Sequence, residues 1–123
     1  KGSREHTPVE QEMRERIGRL LWEQKRYRDP GYSQRQLAAD LEMSVFLLSR
    51  TLRQVFGLRY VELVHKLRIQ DAAKYLRSPQ KRRYTVDDIG VLVGFRNRQS
   101  FFSAFRKEMG TTPERWRLDR SNS

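Results

Sequence analysis

Residues 89–110 read Ile89-Gly90-Val91-Leu92-Val93-Gly94-Phe95-Arg96-Asn97-Arg98-Gln99-Ser100-Phe101-Phe102-Ser103-Ala104-Phe105-Arg106-Lys107-Glu108-Met109-Gly110. Ile89 and Val93 are spaced for one face of a short helix, and Phe101, Phe105 and Met109 for one face of a longer one. Between them Gly94-Phe95-Arg96-Asn97 reads as a tight turn, with Asn97 placed to cap the second helix and Gly110 to end it. The same arrangement occurs earlier: Leu37-Ala38, Leu41, a turn at Glu42-Met43-Ser44, then Leu48, Leu52 and Gly57. The offset is 52 residues from Leu37 to Ile89 and 53 from Gly57 to Gly110, so the second turn holds one extra residue. Leu63 and Trp116 keep the offset of 53. The small residue of each copy (Ala38, Gly90) lets two helices cross closely, and the apolar turn residue (Met43, Phe95) plugs the angle between them. This is helix-turn-helix patterning, in which the second helix is the one that enters a DNA major groove.

Further helix signals flank the two copies. Thr7-Pro8-Val9-Glu10 offers a cap, a Pro at the first helical position and an acid three residues after the cap. Met13, Ile17, Leu20 and Leu21 continue as one face, and Tyr27-Arg28-Asp29-Pro30-Gly31-Tyr32 brings turn chemistry. Ser33-Gln34-Arg35-Gln36 is a capping box, and Ser44 is placed to cap the helix of Leu48, Leu52, Val55 and Phe56. From Tyr60 to Arg77, Val61, Val64, Leu67, Ala72, Tyr75 and Leu76 mark one long helix. Ser78-Pro79-Gln80-Lys81-Arg82-Arg83-Tyr84 is a polar, basic loop. Thr85 caps the next helix, with Asp87 and Asp88 in the first turn, where the helix dipole favours acids. Thr112-Pro113 starts a last helix bearing Trp116. No strand pattern occurs.

The expected fold is therefore all-α: two helix-turn-helix subdomains, about seven helices in all, joined by a long linker helix. The expected divisions are a disordered amino terminus at 1–6, a first subdomain at 7–59, the linker at 60–77, a second subdomain at 78–118 and a disordered tail at 119–123. At about 1.5 Å per residue the linker spans roughly 27 Å, comparable to the ~34 Å between successive major-groove faces on one side of a duplex.

Composition points to the same partner. The 123 residues carry 26 Lys and Arg against 15 Asp and Glu, a formal charge of +11 and a pI of about 10.7. Such an excess suits a polyanion, either nucleic acid or an anionic membrane surface. Cysteine is absent, which excludes disulfides, thiol catalysis and cysteine-bound zinc. No apolar run approaches the ~18 residues of a membrane span, and no signal peptide is visible. The start at Lys1-Gly2-Ser3 suggests a cloning remnant or a cut within a longer protein, with a sensor or dimerisation domain expected upstream. His6 and His65 are far apart and outside any ligand motif, no glycine-rich phosphate loop occurs, and Asp87 and Asp88 are adjacent rather than one helix face apart. No metal, cofactor or catalytic constellation is expected, so the chain is not read as an enzyme.

The run Ser33-Gln34-Arg35-Gln36-Leu37-Ala38 to Leu48-Ser49-Arg50 resembles the DNA-binding domain of the AraC/XylS family of transcription regulators. So, more specifically, does Gly94-Phe95-Arg96-Asn97-Arg98-Gln99-Ser100-Phe101 to Phe105-Arg106-Lys107-Glu108-Met109-Gly110-Thr111-Thr112-Pro113-Glu114-Arg115-Trp116-Arg117. Leu67-Arg68-Ile69 with Ala72-Ala73 and Leu76 resembles that family's linker helix. The likeness covers about Tyr32 to Arg117. Arg28-Asp29-Pro30-Gly31 resembles a subgroup whose amino-terminal sensors are sometimes membrane-embedded. Three departures stand out: Glu42 where the family often has Gly, Gly90 where it usually has Ala, and Phe102-Ser103 where it commonly has Ser-Arg.

The resemblance implies sequence-specific binding of double-stranded DNA in adjacent major grooves, in the cytoplasm or on the nucleoid, by the output domain of a bacterial regulator that could be membrane-tethered when full-length. An activator would also touch RNA polymerase. By position it implies base contacts at Phe46, Ser49, Arg50, Arg98, Gln99 and Ser103. Arg suits guanine, Gln suits adenine, and an outward Val45 or Phe46 suits a thymine methyl. Phosphate contacts are expected near helix starts, at Ser33, Gln34, Ser44, Asn97 and Ser100, with Arg35, Arg53, Arg96 and Lys107 nearby. Lys81-Arg82-Arg83 is a further candidate for the backbone. Two other readings share some of these features: a nonspecific or architectural DNA binder, and a protein-interaction module docking through Val45, Phe46 and Phe102.

Overall fold

The computed structural model describes residues 8–119. The expectations for 1–6, for a cap at Thr7 and for a tail at 120–123 lie outside the described residues. The described residues form seven α-helices and no strand: α1 Pro8–Gly18, α2 Gln34–Asp40, α3 Val45–Phe56, α4 Tyr60–Leu76, α5 Val86–Leu92, α6 Arg98–Met109 and α7 Pro113–Leu118. The end of α1 passes into one wider π-helical turn, Arg19–Glu23, before the expected turn region begins. Asp119 caps α7 instead of starting the tail.

The helix boundaries follow from side-chain chemistry. Ser33 accepts a hydrogen bond from the Gln36 backbone N–H while the Gln36 side chain accepts from Ser33 N–H, a reciprocal capping box. Thr85 and Asp88 do the same at α5. Ser44, Asn97 and Thr112 each accept from the backbone N–H three residues on. Gly57 and Gly110 end α3 and α6 in the left-handed region, at φ 71° and 74°, where a β-carbon would be strained.

The chain divides into two compact units, 8–26 with 31–63 and 27–30 with 64–119. α4 is continuous, and the division falls after Leu63. In the first unit Ile17, Leu21, Leu37, Leu48 and Leu52 are fully buried, each contributing roughly 1.5–3 kcal/mol of transfer free energy. Arg14 donates to the Val55 carbonyl at 2.8 Å and Arg16 to the Leu41 carbonyl at 3.1 Å, tying α1 to the helix-turn-helix.

The second unit has its own core of Ile69, Ala72, Leu76, Ile89, Val93, Phe95, Phe101 and Phe105, with Trp116 and Phe102 packed against it. Trp116 donates its indole N–H to the Ala73 carbonyl at 2.9 Å, and Arg77 lies over its ring. Arg117 donates to the Leu76, Tyr84 and Lys81 carbonyls, holding the basic loop. Residues 27–30 group with this unit, across the 7–59 boundary expected for the first subdomain. The reason is a polar cluster on α4. Buried Asp71 accepts from the Tyr27 hydroxyl and from Arg28 at 2.9 and 3.0 Å. Arg28 also donates to the Tyr75 hydroxyl, and buried Arg68 donates to the Tyr27 carbonyl at 2.6 Å. Burial and the Asp71 carboxylate together hold the Tyr27 hydroxyl far above its ordinary pKa of 10.0.

Candidate nucleic-acid interface

Each second helix is amphipathic, with its apolar stripe spent on the core and a polar face left to solvent. On α3, Leu48, Leu52 and Val55 are buried, which turns Val45, Phe46, Ser49, Arg50 and Arg53 outward. Phe46 is 74% exposed and is flanked by half-exposed Val45 and Leu47. A ring this bare lies outside the core of this unit. On α6, burial of Phe101, Ala104 and Phe105 turns Arg98, Gln99, Ser103 and Arg106 outward. Phe102 does not share that exposure. It is half-buried against the core and stands edge-on to Phe101, with ring centres 5.8 Å apart. It is therefore a weaker docking element than the sequence pattern suggested.

All the expected base-contacting residues thus lie exposed on one helix face in their own unit: Phe46, Ser49 and Arg50 on α3, and Arg98, Gln99 and Ser103 on α6. Among the phosphate candidates, Ser33, Arg35, Ser44, Arg53, Arg96, Asn97, Ser100 and Lys107 are exposed and Gln34 is half-buried. Ser33, Ser44 and Asn97 also cap their helices, so their oxygens already accept backbone N–H groups. What they still offer is the serine hydroxyl proton and the asparagine amide.

In the second unit an open groove between α4 and α6 brings together His65, Asn97, Gln99, Ser100, Ser103 and Lys107. His65 was read from sequence as an ordinary polar position on the linker. Here its ring packs at 5.3 Å from that of Phe95, and burial, then Arg68 and Lys107, lower its pKa, with Glu108 opposing. No sequence signal separates it from its neighbours, because apart from Arg68 on the same helix its partners Phe95, Lys107 and Glu108 lie 30 to 43 residues away.

The two outward arginines differ. Among the described residues Arg50 has no acidic partner. Arg98 donates from Nη1 to Asp87 Oδ1 at 2.6 Å, its Nη2 lies 3.8 Å from Glu114 Oε2, and its guanidinium stands 4.2 Å from the centre of the Phe102 ring. Asp87 and Glu114 stand in the first turns of the helices before and after α6, so three elements meet at one side chain. Asp87 was read from sequence only as an acid complementing its own helix dipole.

Among the described residues no group of three His, Cys, Asp or Glu could hold a metal ion. No helix there is long and apolar enough to cross a membrane.

Comparison with known proteins agrees with this architecture. The profile of a family described as a helix-turn-helix domain matches residues 37–119. The bifunctional transcriptional activator/DNA repair enzyme AdaA of Bacillus subtilis (strain 168) is 34% identical over 74 residues, which are 60% of this chain and 34% of that protein. The chain thus spans about a third of the length of this curated relative. Among solved structures, the C-terminal domain of AraT, a response regulator from Geobacillus stearothermophilus, is similar with a TM-score of 0.73 and 28% identity, covering 91% of this chain and 85% of that one. A transcriptional regulator from Chromobacterium violaceum, described among AraC-type DNA-binding domain-containing proteins, is similar with a TM-score of 0.65 and 25% identity over 72% of this chain and 77% of that one.

Proposed function

Because the chain belongs to the AraC-type helix-turn-helix domain family, we propose that it is the DNA-reading output domain of a bacterial transcription regulator, with both second helices entering major grooves of one duplex site. The observation that carries this reading is the repeated outward face. Phe46, Ser49 and Arg50 on α3, and Arg98, Gln99 and Ser103 on α6, are exposed in a chain of net charge +11. Their chemistry matches base edges: guanidinium for guanine, carboxamide for adenine, an apolar ring for a thymine methyl. Ser33, Gln34, Arg35, Ser44, Arg53, Arg96, Asn97, Ser100 and Lys107 set register and affinity through phosphates. The chain itself carries out no chemistry, and a repair activity like that in AdaA's name would belong to another part of a longer protein. Effector sensing and dimerisation are assigned to sequence upstream, contact with RNA polymerase to the activated complex, and the site of action to the cytoplasm.

Selection from random duplex DNA, followed by salt titration, tests the reading. The expected result is one asymmetric site of roughly 15 to 20 base pairs with two protected major-groove segments about a turn apart. Arg50→Ala or Arg98→Ala is expected to cost ~1–3 kcal/mol and relax preference at one base pair, whereas Lys107→Ala weakens binding to all sequences alike. Equal affinity for every duplex at every salt concentration would refute specific reading.

A further inference from the structure

We infer that Asp87 is a positioning residue that makes Arg98 a reader of guanine instead of a general anion contact. The inference rests on the DNA-reading role proposed above for Arg98.

A carboxylate beside a DNA-facing arginine opposes binding, because it repels the phosphates that the rest of this basic face attracts. Two stand beside Arg98: Asp87 at 2.6 Å and Glu114 at 3.8 Å. Their side chains, like that of Arg98, are more than half or about half exposed, so the pairs add little to folding stability in water. What they do provide is geometry. An arginine side chain on a helix surface ordinarily samples many rotamers. This one is held by the first turn of α5, by the first turn of α7 and by the Phe102 ring one helical turn further along α6.

The held guanidinium keeps donors to spare. It has five N–H groups in a planar fork. The Asp87 contact takes one N–H of Nη1, Glu114 stands 3.8 Å from Nη2 and Phe102 covers one face, leaving the other in-plane donors for the O6 and N7 acceptors that guanine presents in the major groove. A phosphate approaching Arg98 also meets the Asp87 charge, so the carboxylate discriminates against the backbone while it orients the fork.

The test uses the whole chain, its selected duplex, and the same duplex altered at the base pair whose preference Arg98→Ala relaxes. Wild type is compared with Asp87→Asn, Asp87→Glu, Arg98→Ala and the double variant Asp87→Asn/Arg98→Ala, with thermal melting recorded for each. Asp87→Asn is expected to reduce discrimination at that base pair about tenfold, while affinity for unrelated duplex stays level or rises. Asp87→Glu should restore part of the discrimination, and the double variant should match Arg98→Ala alone. A purely structural role predicts something else: lower melting temperature and one common loss of affinity, with discrimination intact. That result, or effects of Asp87→Asn and Arg98→Ala that multiply, would overturn the inference while leaving base reading by Arg98 in place. If Arg98→Ala itself changes no base preference, the base-reading role fails, and the role given to Asp87 fails with it.

Discussion

A β-carbon on Gly90 would lie 2.6 Å from Cδ2 of Phe101, inside the ring's van der Waals envelope. The first helix-turn-helix carries Ala38 and Leu48 at the corresponding places, and there both are buried. Each unit thus fills the crossing of its two helices with one small and one large residue, and the larger ring in the second unit requires the smaller partner. This is why the second unit has Gly90 despite the helix propensity that glycine forfeits.

Gly90→Ala is therefore expected to destabilise the second unit by about 1–3 kcal/mol through overpacking, although alanine is the better helix former. Phe101→Leu in the same chain should recover part of the loss. A double-mutant cycle read by urea unfolding measures the coupling, and additive effects would show that the two side chains do not compete for the space.

Glu42 and Gly94 occupy equivalent turn positions, and both have positive φ, 58° and 115°. Glutamate there bears a left-handed backbone that costs roughly 1–2 kcal/mol. Glu42→Gly is expected to raise stability by about 1 kcal/mol after the entropy cost of glycine. Gly94→Ala should be far more damaging, since its β-carbon would fall 2.8 Å from the Tyr27 and Arg28 carbonyl oxygens. Melting temperatures of the two variants should move in opposite directions.

Asp71 is the acceptor on which Tyr27 and Arg28 converge. Asp71→Ala leaves a largely buried guanidinium and a buried hydroxyl without that acceptor, an expected loss of about 3 kcal/mol. Protease cleavage near residues 27–30 should accelerate in the variant. An unchanged cleavage rate and unfolding midpoint would show that the cluster does not hold this segment.

The pKa of His65 is below its ordinary 6.5, through burial first and then Arg68 and Lys107, with Glu108 acting the other way. The unfolded chain then binds this proton more readily than the folded one. Stability from this site is fully present above about pH 6.5 and falls as the solution is acidified through the lowered value. Between pH 7.5 and 5.5 the unfolding midpoint should drop more in wild type than in His65→Gln. Parallel profiles would remove His65 as the source.

Helix limits were legible because their signals are local. Ser33, Ser44, Thr85, Asn97 and Thr112 cap as their positions suggest, and Gly57 and Gly110 terminate. The outward faces of α3 and α6 were legible because helical spacing assigns each residue a side once the apolar stripe is known. Phe102 was misjudged as exposed, since it lies on the border of that stripe and only the depth of the core decides such a position. The attachment of residues 27–30 to α4 was invisible, because Tyr27 and Asp71 are 44 residues apart and neither belongs to a periodic pattern.

The sequence by itself determined that the second helix-turn-helix would present Gln99 and Arg98 outward, and that its first helix, capped by Thr85, would carry Asp87 in its first turn. Both follow from caps and a 3.6-residue period acting over one or two turns. Only the tertiary structure decided that Asp87 and Arg98 meet. Their separation of 11 residues crosses a tight turn, and the distance between them depends on how closely α5 and α6 pack, which Gly90 and Phe101 set through van der Waals contact.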